Sequence, residues 1–361
     1  MEYVYDYLVF LAQAITIVVA LLIVISAIAS LSVKQLPESG GQLAITKLND
    51  RLKDLRHTME ASVLPSDVVK KQHKAEAKAE TKAVKAEAQA LKRSSKTTEL
   101  SAEETKSDEA KESAPKRIFF LQFEGDTRAS GVDKLRREIN AVLTMATSED
   151  EVVVAVESPG GMVPNYGLAA SQLTRFRDHD IPLTVVVDKV AASGGYLMAV
   201  VANKIVAAPF ALVGSIGVVA QIPNVHRLLK KNDVDVEVLT AGKYKRTLTM
   251  LGENTEEGRE KFLAELEDIH ALFQEFVAEF RPDMDLDKVA TGEAWFGRRA
   301  IELKLVDGLA TSDELLMQAC QSSDVYAIAW QDQKKPIERI LGRVNGVLEQ
   351  AEELLARFSA R

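Results

Sequence analysis

Cysteine is almost absent from this chain. Its 361 residues include one, Cys320, so neither an internal disulfide nor a cysteine zinc cluster can form. Histidine is scarce too: His57, His73, His179, His226 and His270 are scattered without metal-ligand spacing, and no metal is expected. Positive charge is in deficit, the formal net charge being -8, and no basic patch is interleaved with aromatics in the globular part. Both features argue against a nucleic-acid partner. Between Tyr7 and Val33 charge is missing altogether.

That uncharged run, with the core LVFLAQAITIVVALLIVISAIA, exceeds the roughly 20 residues that a bilayer-spanning helix needs. A cleaved signal peptide is the rival reading. Its n-region should be basic, whereas MEYVYD carries Glu2 and Asp6, and the apolar run is longer than the usual ~7–15-residue h-region. An uncleaved single-pass anchor over 7–33 is therefore expected. Lys34, Lys47, Arg51 and Lys53 follow the span and no Lys or Arg precedes it, so positive-inside reasoning puts the C-terminal bulk in the cytoplasm.

Large apolar side chains are rare from Lys70 to Lys116, where Ala, Lys, Glu, Ser and Thr dominate. Such a segment buries too little surface to fold alone and reads as a tether, basic in its first half and acidic in its second. Before it, residues 34–69 read as a juxtamembrane amphipathic helix with Leu43, Ile45, Leu48, Leu52 and Leu55 on one face. At the other end, 336–361 forms an apolar seven-residue pattern from Ile337 to Phe358, read as an amphipathic helix that pairs with another helix or lies on a membrane.

The length would allow two domains, but with these ends set aside one folded domain remains, over 117–325. Ile118–Phe123, Glu151–Val156 and Leu183–Val187 read as strands, and Val132–Thr144 and Asn165–Asp178 as helices between them. Strand–helix alternation implies an α/β fold with a mainly parallel sheet, flanking helices and functional groups at the strand C-terminal ends. Thr255–Phe280 reads as a long amphipathic helix whose stripe is core or subunit contact.

Two glycine-bearing segments fall at such ends: Glu157–Gly161 (ESPGG) and Ala191–Tyr196 (AASGGY). The second puts Ser193 between a short β-branched strand and a helix, where free backbone N–H groups can steady an oxyanion. Taken alone, Ser193 reads as well as an N-cap in a glycine turn. A serine needs a base to become a nucleophile. His179 and His226 have no compelling carboxylate partner in the sequence. Lys243 and Lys245 follow a strand-like run, Val236–Leu239, and a glycine turn; either serves if burial lowers its pKa from about 10.4.

AASGGY around Ser193, GSIGV at Gly214–Val218, ESPGG at Glu157–Gly161 and AGKYK at Ala241–Lys245 together resemble the signal peptide peptidase A family of membrane-bound serine proteases. The likeness runs from about Ile118 to Leu316. It implies a ClpP/crotonase-like fold, an endopeptidase with a Ser–Lys dyad, no cofactor, and a ring-shaped homo-oligomer acting on peptide or membrane-protein substrates. On this resemblance Ser193 matches the nucleophile and Lys245, 52 residues downstream, the base. Ser215 matches the residue that orients the lysine, and Gly161 and Gly194 the oxyanion donors. Glu157 stands where the family often has Asn or Asp. Family analogy puts the protease domain in the periplasm of a bacterial inner membrane, opposite to the charge rule. A crotonase-like acyl-CoA enzyme and a non-catalytic membrane scaffold are the competing expectations.

Overall fold

The computed structural model describes residues 13, 16, 41–76, 78 and 116–332. Apart from residues 13 and 16, the expected anchor at 7–33 lies outside them, as do most of the tether and the C-terminal helix. Among the described residues no helix is long and apolar enough to cross a membrane. The chain divides into two compact units, Ile45–Ala329 and the two ends, Met1–Ala44 with Trp330–Arg361.

The large unit is a layered α/β structure. Its main sheet contains β1 (Gln42–Lys47, of which Ile45–Lys47 lie in this unit), β2 (Arg117–Glu124), β3 (Glu151–Glu157), β4 (Leu183–Val187), β6 (Lys204–Ala207), β9 (Gly308–Leu309) and β10 (Asp324–Gln331, to Ala329 in this unit), in the order β1-β10-β2-β3-β4-β6-β9. From β10 to β9 every neighbouring pair is parallel. Every residue of β4 is buried, as a parallel sheet covered on both faces requires. Along β2 the side chains alternate between the two faces. Ile118 and Phe120 join Val153, Val186, Val206, Leu316 and Val325 in one core cluster. Phe119, Leu121 and Phe123 are buried on the other side.

Helix α2 (Val132–Leu143) packs on β2, and α3 (Val163–Asp178) packs on α2 and on α4 (Gly194–Ala199). These helices form because apolar residues recur every three to four positions: Leu135, Ile139 and Val142 on α2, Tyr166, Ala169, Ala170, Leu173 and Phe176 on α3, all buried. A second, three-stranded sheet interrupts the expected passage from β4 into the Ser193 helix. It consists of β5 (Val190–Ala192), β7 (Leu212–Gly214) and β8 (Ala294–Phe296) in the order β5-β7-β8.

Two local expectations change. Within the stretch read as a juxtamembrane helix, Gln42–Lys47 is edge strand β1, and helix α1 begins at Leu48 and ends at Val63. Leu43 and Ile45 lie two apart, a spacing that shares one face of a strand but not of a helix, and Leu48 packs against the core cluster. The strand-like run Val236–Leu239 pairs with no strand among the described residues: residues 234–240 are irregular, and Leu239 is 87% exposed. This run follows α5 (His226–Lys231) and precedes α6 (Glu256–Phe280), which is capped by the Thr255 hydroxyl accepting from the Gly258 amide.

Candidate active site

Ser193 sits where β5 hands the chain to α4, with φ 50° and ψ -119°. A residue bearing a β-carbon seldom adopts a positive φ, and holding one there costs about 1–3 kcal/mol. The surroundings impose it. The Ser193 amide donates to the Gly214 carbonyl at 2.8 Å, and its carbonyl accepts from the Leu197 amide at 2.9 Å. Its hydroxyl does not cap the helix it precedes. Among the described residues the Ser193 side chain makes no hydrogen bond, and it stands at a strained corner.

The ESPGG loop is sewn to that corner. The Ser158 amide donates to the Val190 carbonyl at 2.8 Å, and the Ala192 amide donates to the Ser158 carbonyl at 3.0 Å. Gly160 has φ +92°, and a β-carbon there would lie 2.7 Å from the Gly194 nitrogen and 2.8 Å from Cβ of Ser193. Only glycine permits this approach. Among the described residues the amides of Gly161 and Gly194 donate to no protein acceptor, so two N–H groups beside one hydroxyl are free to receive an oxyanion. Glu157 forms an exposed ion pair with Lys189 at 2.9 Å, which ties the start of the loop to the end of β4.

Ser215 follows Gly214 at φ 53°. Its amide donates to Glu293 at 2.6 Å and its hydroxyl donates to the Gly292 carbonyl at 3.3 Å. The oxygen lone pairs of Ser215 are then free to accept a further donor.

Two cavities meet at Ser193. The larger, about 710 Å³, is lined by Gly160, Gly161, Ser193, Ser215 and Gly292 among others. The second, about 340 Å³, runs from Gly161, Ser193 and Gly194 to an apolar wall that includes Leu197, Val218, Leu272, Phe273 and Phe276. Four of the five residues singled out from the sequence, Ser193, Gly161, Gly194 and Ser215, thus come together around these cavities. Lys245 does not join them within the single chain: it is exposed and lines neither cavity. Lys243 is engaged elsewhere. Its ammonium pairs with Glu257 at 2.7 Å and lies 5.0 Å from the centre of the Tyr244 ring, and the Glu257 carboxylate, with Tyr244, holds its pKa well above the ordinary lysine range. The titratable side chains that do line the larger cavity are Glu267 and His270 on α6. Sequence reasoning passed over both, because a helix stripe spaced for packing gives no sign of which polar neighbour faces a cleft.

A serine held at a strained backbone position, between two amides that have no acceptor among the described residues and opening on an apolar cleft, is an arrangement that serine acyl-transfer chemistry can use. Comparison with known proteins identifies the class: the model of peptidase family S49 matches residues 175–326, and that of the peptidase family S49 N-terminal region matches residues 2–173. The chain belongs to peptidase family S49 and is a serine peptidase. It is 46% identical over 356 residues to a probable protease SohB of Haemophilus influenzae, covering 98% of this chain and 96% of that one. To a probable protease SohB of Buchnera aphidicola from Acyrthosiphon pisum it is 51% identical over 243 residues, 67% of this chain and 72% of the relative. Among solved structures, a mutant of the 1510-N membrane-bound stomatin-specific protease matches with a TM-score of 0.39 at 14% identity, over 57% of this chain and 86% of that one.

Proposed function

We propose that the chain is a membrane-anchored serine endopeptidase with Ser193 as nucleophile and Lys245 as general base, on a ClpP/crotonase-like fold completed by assembly of several copies. The observation that carries this reading is the Ser193 hydroxyl, held at a strained backbone position beside the unpaired amides of Gly161 and Gly194.

In this reading neutral Lys245 removes the Ser193 proton as Oγ bonds to the peptide carbonyl carbon. The carbonyl oxygen takes the negative charge and receives the Gly161 and Gly194 N–H groups. Collapse of the tetrahedral adduct breaks the C–N bond, and the lysine ammonium gives its proton to the leaving amine. A water deprotonated by the same lysine then attacks the ester on Ser193 and releases the acid. Ser215 accepts a hydrogen bond from the lysine nitrogen and fixes its lone pair toward Ser193. Lysine chemistry requires a dry site, since an ammonium in water holds its proton at neutral pH.

Assembly would supply the dryness. Residues 218–255 expose Val219, Leu228, Val238 and Leu239, and their strand-like pattern lacks a partner. Seating this segment against a neighbouring copy buries those side chains and carries Lys245 toward a serine cleft. The apolar wall of the smaller cavity favours apolar side chains beside the scissile bond, as in membrane-proximal peptides. On the family's pattern the protease domain lies outside the cytoplasm, against the flanking-charge expectation, and a reporter fused after Arg361 distinguishes the two.

His270 supports a second reading, since it lines the Ser193 cavity. A histidine base needs an orienting carboxylate. Among the described residues none lies within ion-pair distance of His270, whose Nε2 instead meets the Gln274 amide nitrogen at 3.2 Å. Cleavage of a panel of apolar peptides by the full-length protein, with and without Ser193→Ala, tests the activity. Hydrolysis that disappears in the variant is expected, and hydrolysis that survives it would remove Ser193 from the mechanism.

A further inference from the structure

One short pattern occurs twice, once before the Ala/Lys/Glu segment and once at its start: His57-Thr58-Met59-Glu60 on α1 and His73-Lys74-Ala75-Glu76 on the helical stretch 66–76. Positions three apart share a helix face, so each helix presents a histidine and a carboxylate together. The two helices set these pairs against each other in opposite directions. His57 Nε2 meets Glu76 Oε2 at 3.0 Å, and His73 Nε2 faces Glu60 Oε2 at 3.4 Å. The imidazole centroids lie 4.0 Å apart.

Glu60 Oε2 and His73 Nε2 are sealed from solvent, and neither makes a hydrogen bond. Leaving a buried polar atom unsatisfied costs about 1–3 kcal/mol, and here two such atoms face one another. We propose that His57, Glu60 and His73 bind a divalent transition-metal ion, zinc foremost, and that Glu76 orients the His57 ring from outside the ligand set.

The dimensions and chemistry fit. The ligand atoms of the three residues all lie within 4.8 Å of one another. Tetrahedral zinc with bonds of about 2.0–2.1 Å sets neighbouring ligands about 3.3 Å apart, close to the 3.4 Å between Glu60 and His73. Two imidazoles and one carboxylate suit a borderline ion and are too few and too soft for calcium or magnesium. Arg56 does not stand in the way. Its Nε lies 3.5 Å from the other oxygen of Glu60, and its guanidinium pairs with Glu76, so Oε2 of Glu60 stays available. A carboxylate bonded to the far side of a metal-binding imidazole is the usual outer partner. Water fills the fourth position.

The ion would act as a clip. α1 is fastened to the body of the large unit, where Asn49 donates to the Cys320 and Ser323 carbonyls at 3.0 and 2.9 Å and accepts from the Val325 amide at 2.8 Å. Joining α1 to the helix at 66–76 fixes the point from which the Ala/Lys/Glu tether departs. No residue of the cluster lines either cavity at Ser193, so the clip governs stability and tether geometry and leaves peptide-bond chemistry alone.

Titration of chelator-treated full-length protein with zinc chloride, followed by calorimetry, tests the assignment. One zinc per chain is expected, with at least about 10-fold weaker binding in His73→Ala and in Glu60→Gln and unchanged binding in His179→Ala. Zinc should raise the Tm of the parent and not that of Glu60→Gln, a variant that keeps its side-chain shape and whose fold is checked by circular dichroism. Cobalt in place of zinc should give the visible bands of a four-coordinate site. No stoichiometric binding, or binding of equal affinity after His57→Ala with His73→Ala, would overturn the proposal.

Discussion

Ser158 and Tyr166 share a buried hydrogen bond of 2.5 Å whose direction their neighbours determine. The Tyr166 hydroxyl donates to the Asp126 carbonyl at 2.7 Å, so Ser158 must donate to Tyr166. The Ser158 oxygen in turn accepts the Gly160 amide at 3.0 Å. Burial pushes the Tyr166 phenol above its ordinary pKa, outweighing the Ser158 hydrogen bond, which keeps the donor protonated. This chain of bonds holds the ESPGG loop, and with it the Gly161 amide, beside Ser193. Tyr166→Phe leaves the Ser158 proton without its acceptor and removes one of two donors to the Asp126 carbonyl, the Ala129 amide remaining at 2.9 Å. A roughly 10-fold or greater fall in the rate of fluorophosphonate labelling is expected, with Ser158→Ala no worse in combination than the worse single variant. Additive losses would show that the two residues act separately.

The Gly194 site tolerates no side chain. A β-carbon there would stand 2.4 Å from the ring of Tyr166, which is itself fully buried and bonded at its hydroxyl. Gly194→Ala must push the Ser193 corner away from α3. Labelling is expected to fall at least ~100-fold, with a Tm loss matching a few kcal/mol of overpacking. A variant with parental labelling and Tm would show that the corner relaxes freely.

The base of β2 carries an acid-sensitive contact. Arg117 grips both oxygens of Asp150 at 2.8 and 2.7 Å, and Asp150 is 3% exposed. Burial alone would raise the Asp150 pKa, but the hydrogen bonds from Arg117 and from the Thr147 amide and hydroxyl outweigh it and hold the carboxyl below its ordinary value. A lowered carboxylate pKa gives stability that is complete above the unfolded value of about 3.9 and is lost as pH falls toward the folded one. Asp150→Asn should cost about 3 kcal/mol at pH 7, and the Tm gap to the parent should close below about pH 4. A gap that is constant across this range would assign the loss to packing.

The sheet and the serine corner were legible because their signals are local. Continuous β-branched runs mark buried parallel strands, and glycines flank the one hydroxyl that the turn presents. Contacts made between distant segments were not. β1 is a strand only because an edge was open to it, while Val236–Leu239 carries a strand pattern and joins no edge among the described residues. His57 and His73 appeared scattered because their proximity depends on how two helices meet, although the repeated His-x-x-Glu spacing was there to be noticed. Likewise, only the family resemblance singled out Lys245 over Lys243, and whether it loses its water depends on what covers residues 218–255.

That dependence makes one experiment decisive: fluorophosphonate labelling of the full-length protein across Ser193→Ala, Lys245→Ala, Lys243→Ala and His270→Ala. Labelling should vanish in Ser193→Ala and fall about 10³-fold in Lys245→Ala, within the usual range for a lost general base. It should change less than about threefold in Lys243→Ala and His270→Ala, since Glu257 already holds Lys243 and among the described residues no carboxylate orients His270. Full labelling in Lys245→Ala, with a collapse in His270→Ala, would contradict the dyad and make histidine the base.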